Sequence, residues 1–222
     1  LVSIYGSELA EGLAQADTIP LSTTLGDNVK VSFNGIPAPL LFVSGGQINA
    51  QLPWNVLSSG TAGNVNVVVT RGGKKTSTSP QSVPVGPFSP GIFAINNIAV
   101  AINPDGSIAA PPGAIPGSTT RPAKIDDQGG LVILCTGLGA VDSPLVSGAN
   151  SLDKLRKATT YPTVLIGNKP ATVDFAGLSP QFVGVYQVNV RIPSGTPTGN
   201  AVSLQLQMGS VLTSAAVTIA VQ

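Results

Sequence analysis

The sequence predicts an all-β chain built as two small β-sandwich modules in tandem, residues 1–86 and 87–222, and three observations predict it. One set of phrases is written twice. Short alternating apolar runs are punctuated by glycine and proline. Helix evidence is thin, a single turn in each of two stretches. The first copy of the phrases covers residues 29–38, 47–53 and 63–69, and the second covers 162–171, 187–193 and 199–206. Aligned positions lie 133 apart (Pro37 and Pro170), 140 apart (Gln47 and Gln187) and 136 apart (Gly63 and Gly199). Such small changes of offset place insertions in loops, where they are tolerated.

Length and composition agree with two modules. A chain of 222 residues accommodates two domains of roughly 100 residues, each able to bury about 60–70% of its unfolded surface without a metal or disulfide staple. Gly 26 and Pro 19 exceed their usual combined share of roughly 12% and have no collagen period, so they mark the turns of many short strands. Hydrophobic residues at 42% with aromatics at only 5% imply cores of Val, Ile, Leu and Ala.

The elements follow in chain order. Leu1-Val-Ser-Ile-Tyr5 is strand-like from the first residue, and with no initiating Met the chain reads as a fragment of a longer protein. Val29-Lys-Val-Ser-Phe33 alternates with period two, and Asn34-Gly35 signals a hairpin turn. Leu40-Leu-Phe-Val43 enters another turn at Gly45-Gly46. Gln47-Ile-Asn-Ala-Gln-Leu52 should point Ile48, Ala50 and Leu52 inward and Gln47, Asn49 and Gln51 outward. Pro53 ends that strand because proline cannot donate to a ladder. Val65-Asn-Val-Val-Val69 alternates in part and fits a strand packed on one face. Pro87-x-x-Pro90 forms a short stiff joint with a limited range of interdomain angles, and the second module opens near residues 86–90, with strand-like content in Gly91-Ile-Phe-Ala94 and Ala99-Val-Ala-Ile102. Asn103-Pro-Asp-Gly106 is turn chemistry. Residues 109–120, rich in Pro, Gly and Ser, read as a loop with little to bury. In the second copy Val188, Val190 and Ile192 should face inward and Gln187, Asn189 and Arg191 outward. The last strands are 202–208 and 216–221. Residues 8–14 and 151–157 are too short for stable helices.

Catalytic chemistry finds little to work with. Eleven basic and ten acidic residues give a net charge of +1, with no field to draw the chain to nucleic acid. The densest basic pieces, Arg71-Gly-Gly-Lys-Lys75 and Lys154-Leu-Arg-Lys157, read as solvated turns. His 0 removes the Ser–His–Asp triad, the Cys–His pair and any imidazole zinc site. Cys135 lies in Leu131-Val-Ile-Leu-Cys135 and reads as a buried, inert thiol. Gly137-Leu-Gly139 lacks the Lys-Ser/Thr of a phosphate loop. Asp126-Asp127 reads as a solvated turn, since calcium would need further oxygen ligands, such as backbone carbonyls and the Asp105 turn. No cofactor or metal is expected, and the candidate catalytic set is empty. No stretch of 18 apolar residues calls for membrane insertion. Two aromatics stand as candidate ligand or partner contacts. Trp54 follows Leu52-Pro53 at a loop mouth, where it stacks on a sugar or partner or caps the core. Tyr186 precedes the Gln187 strand, where it contacts a ligand or anchors a loop; its counterpart in the first copy is Gly46.

The doubled phrases resemble the immunoglobulin-like TIG/IPT class, whose modules pair a Gly-rich opening strand with a Val-x-(Ile/Phe)-x-Gly-x-x-Ala hairpin and a strand ending in proline. Residues 88–222 are more closely similar to a C-terminal domain, itself uncharacterised, abundant in large secreted proteins of soil Acidobacteria such as Solibacter. The residues that carry this are Ala101-Ile-Asn-Pro-Asp-Gly-Ser107, Arg121-Pro-Ala123, Cys135-Thr-Gly-Leu-Gly139, Phe175-Ala-Gly-Leu-Ser-Pro180, Gly184-Val-Tyr-Gln-Val-Asn-Val190 and Val217-Thr-Ile-Ala-Val221. Cys135, where an aromatic is more usual, and the charged 151–157 insert depart from the pattern. The resemblance implies two immunoglobulin-like β-sandwiches in an exported, cell-surface or multidomain setting and carries no catalytic residues. The function expected is a non-enzymatic spacer, adhesion or docking pair within a larger secreted or surface protein, bound to other domains of the same polypeptide, a surface protein or a polysaccharide. The alternative is a carbohydrate-binding module with Trp54 as its platform.

Overall fold

The computed structural model describes residues 1–57, 62–72, 76–125, 130–213 and 217–222. The described residues contain strands and turns and no helix. Near residue 8 the helical path is broken by Glu8, which takes a left-handed φ of 54°, and Leu9 and Ala10 turn into the core instead. The chain divides into two compact units. One is Leu1–Pro87 with Pro144–Lys154 and Pro180–Gly184; the other is Phe88–Ser143 with Leu155–Ser179 and Val185–Gln222.

Among the described residues the first unit has nine strands: β1 Val2–Tyr5, β2 Ala14–Gln15, β3 Lys30–Phe33, β4 Ile36–Pro37, β5 Leu40–Val43, β6 Gln47–Ala50, β7 Gly63–Arg71, β8 Thr76–Ser77 and β9 Gln81–Val85. They form two sheets, ordered β1-β6-β5-β2 and β4-β3-β7-β8, with β9 also paired to β7. Alternation explains the packing. Val31 and Phe33 from one sheet meet Leu40, Val43, Ile48 and Ala50 from the other in a single buried cluster with Val65, Val67 and Val69. Each fully buried aliphatic chain contributes about 1.5–3 kcal/mol of transfer free energy, so the sandwich rests on its two inner faces.

The second unit has β10 Gly91–Ile92, β11 Ala94–Ile95, β12 Ile98–Ala99, β13 Ala101–Ile102, β14 Ile108–Ala109, β15 Thr120–Arg121, β16 Leu131–Thr136, β17 Thr163–Ile166, β18 Lys169–Leu178, β19 Tyr186–Arg191, β20 Gly199–Met208, β21 Val211–Leu212 and β22 Thr218–Val221. These belong to one sheet ordered β11-β12-β22-β20-β17-β18-β19-β16-β13-β14-β15. Beyond β15, Ala123 bridges Val221 in parallel, with Ala123 N–H donating to Ala220 at 2.9 Å and Gln222 N–H to Ala123 at 2.8 Å. The sheet therefore curls until its β15 end meets β22. Bulges between Val173 and Phe175 and between Gly199 and Val202 bend its two longest strands, which is how a sheet of this width closes. The 109–120 segment has more to bury than its composition suggests: Ala109, Ala110 and Ile115 are all buried.

The repeated phrases occupy repeated places. Each hairpin turn has two residues at positive φ, Asn34 and Gly35 in the first copy and Gly167 and Asn168 in the second, the geometry that matches strand twist in a two-residue connection. β6 lies between β1 and β5, and β19 lies between β16 and β18. The register skips at Leu41 on β5 and at Asp174 on β18. Thr78 donates its N–H to Val69 and its hydroxyl accepts the Val69 N–H; Thr213 does the same with Leu206.

The expected orientation holds for Ile48 and Ala50, and for Val188, Val190 and Ile192, all of which are buried. It does not hold for the end of the first phrase. Gln51 is 3% exposed and Leu52 only half buried. β6 stops at Ala50, so alternation no longer binds these two, and the Gln51 amide oxygen accepts the Gly148 N–H at 2.5 Å. That bond offsets a desolvation cost of about 1–3 kcal/mol. Ala216, expected to open the last strand, lies outside the described residues.

Candidate functional site

The outer face of β1, β6 and β5 presents the most organised polar surface of the first unit. The period of two sends Ser3, Tyr5, Gln47 and Asn49 to this face, with Ser3 opposite Asn49 and Tyr5 opposite Gln47. Asn49 Oδ1 accepts from Ser3 Oγ at 2.9 Å and from Gln47 Nε2 at 2.7 Å. Tyr5 is 74% exposed. The second copy repeats the pair, Gln187 Nε2 donating to Asn189 Oδ1 at 3.3 Å. Both Gln-x-Asn phrases thus hold one side chain with the other along the strand. Such a face can offer hydrogen bonds and an aromatic ring.

Trp54 stands in the turn after β6. Its backbone N–H donates to Ser147 Oγ at 3.1 Å, its ring is half buried, and its indole N–H is shut off from solvent without a hydrogen-bond partner. Gly148 approaches beside it, its carbonyl accepting the Leu21 N–H at 2.8 Å. Tyr186 opens β19 and is buried, with its hydroxyl donating to the Gly139 carbonyl. Burial first, and Cys135 nearby second, push its hydroxyl pKa up. Trp54 and Tyr186 therefore stand in different units.

The remaining candidates resolve into structural roles. Cys135 is fully buried and unpaired, and burial pushes its thiol pKa well above the ordinary range. Gly137 takes a φ of 77°, and a Cβ there would sit 1.8 Å from the Ser89 carbonyl oxygen; this glycine serves a close backbone approach. Both carboxylate oxygens of Asp105 are engaged, one by the Ser107 N–H and hydroxyl and the other by Arg121 Nε at 2.5 Å. Arg121 and then Ser107 hold its carboxyl well below the usual carboxylate range. Buried Asn103 ties this turn to the Arg121 carbonyl at 3.1 Å. Asp126 and Asp127 lie outside the described residues. Among the described residues no group of three or more His, Cys, Asp or Glu is placed to hold a metal ion.

The basic runs differ from plain solvated turns. Arg71 Nη1 lies 3.5 Å from the Glu8 carboxylate, while Lys74 and Lys75 lie outside the described residues. Arg156 is buried, because its segment runs beside β18: Leu178 N–H donates to the Arg156 carbonyl and Ala158 N–H to Ala176, each at 2.9 Å. Sequence spacing carried no signal for this, since the partners are twenty residues away. Tyr5, in contrast, was visible as the outward position of an alternating strand.

The IPT/TIG domain family model matches residues 1–84. Residues 1–84 are an IPT/TIG domain. The match covers the two sheets from β1 to Pro84 and so contains both the Gln47–Asn49 face and Trp54. IPT/TIG domains are non-catalytic modules, and no helix among the described residues is long and apolar enough to cross a membrane. No curated protein and no solved structure matches the chain.

Proposed function

We propose that the chain is a tandem of two immunoglobulin-like β-sandwich modules, residues 1–86 and 87–222, acting as a non-enzymatic structural, adhesion or docking segment of a larger secreted or surface protein. The observation that carries this reading is the repetition of the IPT/TIG domain's strand pairing and register skips in residues 131–221. In support, the 88–222 resemblance to a domain of secreted Acidobacteria proteins points to export, and the balanced, sparse charge suits a neutral partner better than nucleic acid. Partners in this reading are neighbouring domains of the same polypeptide, a surface protein or a polysaccharide. Tyr186 acts as a loop anchor through Gly139. Trp54 is the ring through which the carbohydrate-binding alternative would run.

Two measurements test the reading. The purified chain should show no turnover on a panel of glycans, esters and peptides; hydrolysis at enzymatic rates would overturn it. On a glycan array, binding lost in Trp54→Ala with the fold intact would replace docking by carbohydrate recognition.

A further inference from the structure

Part of the first unit comes from far down the chain: Pro144–Lys154 belongs to it. Leu21 N–H donates to the Gly148 carbonyl at 2.8 Å, Gly148 N–H to Gln51 Oε1 at 2.5 Å, and Trp54 N–H to Ser147 Oγ at 3.1 Å. Two consecutive residues thus tie to three separate stretches of the IPT/TIG domain. The approach is close. A Cβ on Gly148 would lie 2.8 Å from the Leu21 carbonyl oxygen and 3.3 Å from Pro39 Cγ, at a φ of 90° that already favours glycine.

Hydrogen bonds, rather than apolar burial, hold this segment. Between Pro144 and Lys154 only Gly148 and Ser151 are buried, and Val146 and Leu152 are 75% and 66% exposed. Its far end is anchored, because Ser151 N–H donates to the Pro180 carbonyl at 3.0 Å in a loop whose Val183 is buried. A stretch with few buried apolar contacts opens well below the free energy of global unfolding. Trp54 favours the opening. Its indole N–H is shut off from solvent with no partner among the described residues, and an unpaired buried donor raises the free energy of the closed form.

We infer that residues 144–150 form a strap that opens as a unit while the sandwich stays folded, and that its opening bares Trp54. Closed, Ser147 and Gly148 pin the strap to Leu21, Gln51 and Trp54. Open, the indole N–H and the rest of the ring become available, so Trp54 is a gated contact rather than a permanent one. The inference adds regulation to the carbohydrate-binding alternative proposed above and rests on that reading for what the ring meets.

The test uses the full chain. Amide hydrogen exchange should show Leu21, Trp54 and Gly148 opening together, and faster than the amides of β6 and β7. Ser147→Ala removes only the Trp54 acceptor and should speed exchange at Leu21 and Gly148, which it does not touch, by about fivefold. Gly148→Ala should hold the strap open. Acrylamide quenching of Trp54, the one tryptophan of the chain, should then rise towards its value in the urea-unfolded chain while β6 and β7 keep the parent's exchange. Exchange of Leu21 and Gly148 at the rate of β6 and β7 overturns the inference, because the segment is then a fixed part of the sandwich. So does a Ser147→Ala effect confined to Trp54, or parent-like quenching in a folded Gly148→Ala. Exchange in the parent and in Ser147→Ala decides the matter even where Gly148→Ala does not fold. No arm uses a sugar, so an empty glycan array sinks the carbohydrate alternative and leaves the strap, whereas a fixed segment sinks the strap alone.

Discussion

In the first copy the hairpin strand β4 ends at Pro37 and the next strand, β5, begins at Leu40 in the opposite sheet. In the second copy the same stretch is one strand of ten residues, β18, which pairs with β17 at its start and with β19 at its end. The difference sits at one aligned position. Pro39 has no N–H to give to a ladder, while Thr172 in its place pairs with Arg191. Gln51, aligned with Arg191, donates its N–H to the Pro39 carbonyl at 2.9 Å, and there the pairing ends. Pro39 falls where the first copy passes from one sheet to the other, whereas the second copy runs through the aligned Thr172 as one strand of a single sheet. Equal pairing schemes therefore tolerate different sheet counts, because what is preserved is the neighbour of each strand.

A second difference sharpens the same comparison, and the largest expected effect lies there: among the described residues β16 pairs with β10 and β13 as well as β19, while β1 pairs with β6 alone. Ile133 is fully buried and Ile4 only half buried. Ile133→Ala should cost about 2–5 kcal/mol, and Ile4→Ala should cost less than half of that. Urea denaturation of both variants checks the order; equal losses would mean that the β10 and β13 cover adds nothing to the packing of β16.

A smaller contrast divides the two threonine clips. The Leu206 N–H donates to Thr213 Oγ at 2.8 Å in buried surroundings, so Thr213→Val should strand a donor and cost about 1–3 kcal/mol. Thr78 is exposed, and water replaces its hydroxyl, so Thr78→Val should cost about 0.5 kcal/mol or less. Amide exchange at Leu206 and Val69 reads each loss separately.

The smallest effect concerns the Asp105 turn of the second unit. Its folded pKa is depressed from 3.8. Its contribution is therefore present above that value and is lost as pH falls towards the folded pKa. Asp105→Asn should be slightly less stable than the parent at pH 7 and lose less on acidification from pH 4 to pH 2, both pH values taken as rough markers of the carboxylate range. Thermal midpoints across that interval measure it; parallel acid limbs would show that the Arg121 pair adds nothing, as many exposed pairs do.

The sequence alone determined the β class, the Asn34-Gly35 hairpin and the inward set Ile48, Ala50, Val188 and Val190. These follow from side-chain period and turn stereochemistry, which act over a few residues. Burial of Gln51, of Arg156 and of the Tyr186 hydroxyl was decided by the tertiary structure, because their partners Gly148, Leu178 and Gly139 lie from about twenty to nearly a hundred residues away and no local pattern encodes the meeting. The same holds for the edges. A short alternating run specifies a strand in Val2–Tyr5, and a six-residue apolar run specifies one in β16, but whether β16 is covered depends on where residues 91–102 travel, and hydrogen-bond groups on a free edge look the same in sequence as those on a paired one.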